Sequence, residues 1–189
     1  MKNKIKKIIE LHKRILIDEE NNIISKNIEF LKIIKNKINK KIKIIIFGNG
    51  GSAADAQHFA TELMVRLKKN RKAIPAISLS TDTSAITAIG NDFHFKYIFS
   101  RQLEALAGKN DIGIAISTSG NSENIIHGLK ELKKKNVYSL GIFGNSGGKA
   151  KKLVKNSFSI KNNNPSRVQE IHIIFWQILC ENIEDILSK

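Results

Sequence analysis

Residues 42–52 read IKIIIFGNGGS, and residues 112–122 read IGIAISTSGNS. Each is an apolar run of strand length that breaks into glycine, serine and asparagine before a helical pattern begins. Such runs lack polar alternation, which suits strands covered on both faces, as in a parallel sheet. A loop leaving a strand into a helix start carries unpaired backbone N–H groups and the positive end of the helix dipole. Glycine lets an anion approach that backbone, and hydroxyls add donors. Two loops of this kind, 48–52 and 117–122, point to a pocket for a phosphorylated, hydroxyl-rich ligand.

Working outward, apolar residues recur at three and four positions over 5–17 and 23–41. That spacing predicts two amphipathic helices ahead of the first strand, whose stripes need the sheet or another subunit as partner. The remaining pattern predicts strand 42–47, helix 52–68, a short strand 76–79 and helical segments over 83–106. Strand 112–116, helix 122–135, strand 137–143, a short helix after 144-GNSGG-148 and a weak strand 158–160 follow. Pro165 then opens the last long helix, a favoured place for proline. Alternating strands and helices predict an α/β fold, with helices on both faces of a parallel sheet and ligands outside the carboxyl ends of the strands. The glycine- and serine-rich loops fall there. With 189 residues, 41% of them hydrophobic, and no linker or repeat, one domain is expected over 1–189. Residues 1–41 form its helical extension and 42–189 its α/β core.

The formal net charge is +15, from 32 basic and 17 acidic residues. Such a charge admits nucleic-acid binding. The basic residues are spread along the chain, however, with no aromatics interleaved to stack on bases. Saturation with Lys, Ile and Asn also fits AT-rich codon usage and solvated helix faces, so no nucleic-acid partner is expected. The same field steers anionic substrates. Cys180 is the single cysteine, which excludes an intramolecular disulfide and fits a reducing cytoplasm, with the thiol buried in an apolar helix. No stretch approaches the ~20 apolar residues of a membrane span, and charges interrupt the N-terminus before a signal-like apolar region develops.

The first loop lacks the Gly-Lys-Ser/Thr of a Walker A loop, and the strand after it ends at Ser80 and Thr81 without an acidic ribose ligand. It reads equally as a structural turn. In the second loop Ser122 suits a helix cap, a role compatible with phosphate binding. His58 and Glu62 are four apart on the helix that the first loop opens, so they share a face. They can hold a metal, act as base and orienting partner, or form a surface ion pair. Gln169 and Gln177 are eight apart in the last helix, beside Arg167, Glu170 and His172. A glutamine in that apolar stretch needs a partner if buried, and another subunit can supply one. His94 reads as a loop residue, and His12 and His127 as solvated helix positions.

Together, residues 48–63 (GNGGSAADAQHFATEL), 85–101 (AITAIGNDFHFKYIFSR), 117–122 (STSGNS) and 167–172 (RVQEIH) resemble the phosphoheptose isomerases of the sugar isomerase (SIS) fold. The likeness spans nearly the whole chain, in order. It implies a flavodoxin-like SIS sheet and conversion of sedoheptulose 7-phosphate to D-glycero-D-manno-heptose 7-phosphate, an entry step to lipopolysaccharide or capsule heptose. It also implies a cytoplasmic homotetramer with active sites at subunit interfaces, where the N-terminal helices pack, and one zinc per subunit. By position, Ser52, Ser117, Ser119 and Ser122 resemble the family's phosphate ligands, with Thr118 beside them and Gly50 and Gly51 in the same cradle. Asn49 and Asp92 resemble its sugar-hydroxyl contacts. His58, Glu62 and Gln169 resemble three zinc ligands, and Glu62 also the base between C1 and C2. The fourth ligand and second acid/base of the family is a histidine, and Gln177 stands in its place. An amide can touch a metal but shuttles no proton near neutral pH. That departure leaves an alternative, a catalytically silent adaptor resembling a relative that binds the bacterial replication initiator. That relative also lacks the histidine, but it lacks the glutamate matching Glu62 and carries arginine where Ser119 stands.

Overall fold

Strand β1 (Ile44–Gly48) pairs in parallel with β2 (Ala76–Ser78) on one side and β3 (Ile112–Ser117) on the other, in a computed structural model that describes residues 1–38 and 42–188. Strands β4 (Tyr138–Gly144) and β5 (Asn156–Ile160) continue the sheet beyond β3, giving the order β2-β1-β3-β4-β5, all parallel. The order reverses between β1 and β3, so a crevice opens at their carboxyl ends. Both glycine- and serine-rich loops leave the sheet there.

Helices cover both faces, which is why β1 and β3 are buried at every position and almost wholly apolar. Ile44, Ile46, Ile112, Ile114 and Ile116 pack towards α1 (Lys2–Ile38), α2 (Gly51–Met64) and α6 (Pro165–Leu187), whose Phe30, Phe59, Phe175 and Trp176 are fully buried. Ile45, Phe47 and Ala115 pack the other way, with α3 (Thr83–Asp92), α4 (Ile98–Leu106) and α5 (Glu123–Lys134) over them. Each buried Ile or Phe contributes about 1.5–3 kcal/mol relative to exposure.

The N-terminal region is one helix where two were expected. Residues 18–22 (DEENN) contain no proline or glycine to stop it. That stretch is instead stitched to the sheet edge: the Asn22 amide donates to the Ser159 carbonyl at 3.1 Å, and Glu19 accepts from the Lys161 N–H at 3.2 Å. The expected helix end at 39–41 lies outside the described residues. His12, expected in solvent, meets Glu170 of α6 at 2.7 Å.

Helix α2 stops at Met64, four residues before the expected end at 68. The Glu184 carboxylate of α6 takes the N–H groups of Leu67, Lys68 and Lys69 and turns the chain away. The helical segments expected over 83–106 are α3 and α4, joined through a 3₁₀ turn, Phe95–Tyr97. Cys180 is buried, as expected, and burial pushes its thiol far up from the ordinary range, leaving an inert thiol. No helix among the described residues is long and apolar enough to cross a membrane.

Candidate active site

The first loop turns on Gly50, whose φ of 54° and ψ of −122° suit only glycine without strain. The Ser52 N–H closes the turn on the Asn49 carbonyl at 2.9 Å, and Ser52 is buried at 3% exposure. In the second loop the Ser117 hydroxyl accepts from the Gly120 N–H at 3.0 Å, and the Ser119 hydroxyl accepts from the Asn121 N–H at 3.1 Å. A hydroxyl that accepts in this way keeps its own proton to donate. Ser122 is the N-cap residue of α5, as expected, but its side chain makes no capping bond. Its hydroxyl is therefore not consumed by the helix.

The loop after β4 braces this arrangement. Gly120 has a φ of 63°, and a Cβ there would strike the Gly147 carbonyl. The Asn121 amide accepts from the Lys149 N–H at 3.1 Å, and the Ala150 N–H reaches the Gly120 carbonyl at 2.9 Å. Residues 144–148 thus back the second loop closely, beyond shaping the turn that follows.

Helices α2 and α6 run side by side along one flank of the crevice. A Cβ on Gly51 would collide with the Gln169 amide, so Gln169 sits directly over the first turn of α2. Two turns on, the His58 ring meets the Trp176 ring edge-on, with centroids 4.9 Å apart. His58 Nε2 and Glu62 Oε1 are 2.9 Å apart, with side-chain exposures of 54% and 15%. One expected pair is therefore assembled within a single copy. Gln177, half-buried, follows Trp176. It lies about 12 Å along the α6 axis from Gln169, at 1.5 Å per residue. Among the described residues, no three His, Cys, Asp or Glu side chains group to hold a metal ion. The donor types still fit a divalent cation: an imidazole nitrogen and a carboxylate oxygen lie 2.9 Å apart on α2, and the Gln169 and Gln177 amides belong to the neighbouring helix. Asp92 ends α3, is exposed, and accepts from the Asn91 amide at 2.9 Å.

Two polar residues here escape a reading of motifs. Asp55 is 5% exposed, and its Oδ2 has no hydrogen-bond partner. Burial raises its carboxyl to about 6, with the nearby His58 opposing the shift. A carboxylate in an alanine-rich helix start is the only trace of this in the sequence. Asn124, 3% exposed, exchanges two hydrogen bonds with Asn49. His172, one turn past Gln169, is fully buried with neither ring nitrogen hydrogen-bonded; burial lowers it to about 4, although the nearby Phe143 carbonyl favours the protonated ring.

The SIS domain family matches residues 5–144. The phosphoheptose isomerase of Campylobacter concisus is 43% identical over 185 residues, 98% of this chain and 97% of the relative. That of Campylobacter jejuni serotype O:6 is 50% identical over 143 residues, 76% of this chain and 77% of the relative. The structure of the phosphoheptose isomerase from Neisseria gonorrhoeae superimposes with a TM-score of 0.92 at 32% identity, covering 97% of this chain and 98% of that one. With the flavodoxin-like strand order, the two donor-rich loops at its reversal and this likeness over nearly its full length, the chain belongs to the phosphoheptose isomerases of the SIS domain family.

Proposed function

We propose that the chain isomerises sedoheptulose 7-phosphate to D-glycero-D-manno-heptose 7-phosphate. One arrangement carries the reading: a largely buried carboxylate, Glu62, rides on the helix whose first turn is a donor-rich loop and whose neighbour is the Gln169 amide. The Ser52, Ser117, Ser119 and Ser122 hydroxyls, with Thr118 and the Gly50 and Gly51 backbone, hold the phosphate at the start of α2 and α5. Asn49 and Asp92 take sugar hydroxyls. Glu62 removes the C1 proton of the open-chain ketose and returns it to C2, while the O1 and O2 hydroxyl protons exchange through water. Gln177 orients an oxygen by hydrogen bonding but carries no proton. His58, Glu62 and Gln169, with Gln177 as a weaker amide donor, would hold one zinc ion. When bound, it supplies Lewis-acid polarisation of the carbonyl.

Assembly follows from α1. Ile5, Ile8 and Ile9 lie on the same side of α1 as the buried Ile15, Ile23 and Phe30, yet are 42–52% exposed because the helix projects past its own core. Ile17, Ile24 and Ile28 form a second exposed stripe, at 48–70%. These faces support a homotetramer of single SIS domains over 1–189, with the 1–41 extension in the contacts. The free, buried Cys180 suits the cytoplasm, where the product would enter lipopolysaccharide or capsule heptose synthesis. Gln177 alone favours the alternative, a silent adaptor; Glu62 and Ser119 favour the enzyme.

A coupled assay with sedoheptulose 7-phosphate, run with and without added divalent metals, tests the reading. Turnover is expected, with chelation lowering it and zinc restoring it. Glu62→Gln should lower kcat by about 10²–10⁴ while the sugar phosphate still binds. Binding without turnover in the native protein, accompanied by capture of the replication initiator, would reverse the assignment.

A further inference from the structure

We propose that Asn124 is a positioning residue that fixes which way the Asn49 amide faces the crevice. The inference deepens the proposed function, because it takes Asn49 as a contact to the sugar.

Asn124 lies in the first turn of α5 and is 3% exposed. The Ile125 backbone N–H, 2.9 Å away, donates to one end of its carboxamide. A backbone N–H only donates, so that end is the oxygen, and the amide orientation follows from its partner. The same oxygen accepts from the Asn49 amide nitrogen at 2.8 Å, and the Asn124 nitrogen donates to the Asn49 oxygen at 2.8 Å. Flipping Asn49 would set oxygen against oxygen and nitrogen against nitrogen and lose both bonds. The orientation therefore passes from the α5 backbone, through Asn124, to Asn49.

Asn124 Oδ1 has both acceptor positions occupied. Asn49 keeps one N–H and one acceptor position free and is only half-buried, so these are what it presents to a ligand. The pair also ties the loop after β1 to the helix after β3 across the reversal of strand order, between residues 75 apart. A sugar hydroxyl, donor and acceptor at once, matches that fixed N–H and oxygen edge. A phosphate, which only accepts, would use half of it.

A double-mutant cycle tests the coupling. Asn124→Ala is expected to lower kcat/KM for sedoheptulose 7-phosphate about tenfold and to add no loss in an Asn49→Ala background. Competitive inhibition by inorganic phosphate should change less than kcat/KM in Asn124→Ala, because Ser117 and Ser119 are set by bonds to Gly120 and Asn121 within their own loop. If that variant folds poorly, Asn124→Asp replaces it. The aspartate keeps an acceptor for Ile125 and a charge suited to a helix N-terminus, but removes the donor to Asn49. Its effect on kcat/KM should likewise be smaller in the Asn49→Ala background, whatever its added charge does to phosphate affinity. Equal losses in both backgrounds, with native turnover intact, would overturn the inference alone. A native protein that neither turns over nor binds the sugar phosphate would overturn the functional reading, and this inference with it.

Discussion

Gln177 presents an amide where the likeness to phosphoheptose isomerases implies a histidine, and an amide neither takes nor gives a proton near neutral pH. If water carries the hydroxyl protons in its place, restoring an imidazole should accelerate the reaction. Gln177→His is expected to raise kcat at least about tenfold, measured in the coupled assay, and to tighten zinc retention during dialysis. An unchanged kcat would mean that another group already fills the role. At this scale the sequence was informative wherever chemistry needs a local pattern. The serine-rich loop and the His58–Glu62 pair declare themselves through spacing, and the pair is found at 2.9 Å. Asn124 and Asp55 do not, because what distinguishes them is burial, and burial is a property of the packed chain.

Helix α2 shows the same division between local and tertiary causes. Its start was legible from glycine; its end was not, because Glu184 sets it from the opposite end of the sequence. That carboxylate accepts three backbone N–H groups, from Leu67 at 2.6 Å, Lys68 at 2.8 Å and Lys69 at 3.1 Å. It also lies 3.4 Å from Arg71 Nε, with both side chains 1% exposed. Arg71 in turn donates to the Glu62 and Leu63 carbonyls, closing the last turn of the helix that carries the proposed base. Burial alone would raise the Glu184 carboxyl, but the three N–H bonds and Arg71 outweigh it and hold it below the ordinary value. Removing one member of a buried pair leaves the other uncompensated, so Glu184→Ala should cost about 3–5 kcal/mol. Glu184→Gln, which keeps one acceptor oxygen, should cost less. Urea denaturation reads both, and equal small losses would show that the ion pair does not hold this junction. The continuous α1 taught the converse lesson: polar residues 18–22 looked like a break, yet polarity without proline or glycine does not end a helix.

Across the whole molecule, the parallel sheet and its ligand edge were legible because the central strands β1 and β3 are apolar runs that break into glycine and serine, and α3 and α6 open on the capping residues Asp82 and Asn164. The balance of buried titratable groups was invisible, and it sets how stability responds to pH. His172 titrates at about 4 instead of 6.5. Its folded pKa is depressed, so its contribution is full above 6.5 and is lost as pH falls towards 4. Asp55 titrates at about 6 instead of 3.8. Its folded pKa is raised, so its contribution is full below 3.8 and is lost as pH rises towards 6. Each amounts to about 3 kcal/mol at its limit, and between pH 5 and 6 each has a slope of up to about 1.4 kcal/mol per unit, with opposite sign. The carboxylates of Asp111 and Glu184, both held below their ordinary values of 3.8 and 4.5, lose their contributions only under more acid conditions. The native protein should therefore melt at nearly the same temperature at pH 5 and pH 6. Asp55→Asn removes one arm and leaves the other. That variant should melt roughly 3–6 °C higher at pH 6 than at pH 5, at about 2–4 °C per kcal/mol for a chain of this size. Scanning calorimetry of both proteins at the two pH values decides it: a variant as flat as the native protein would mean that His172 does not resist protonation in the fold.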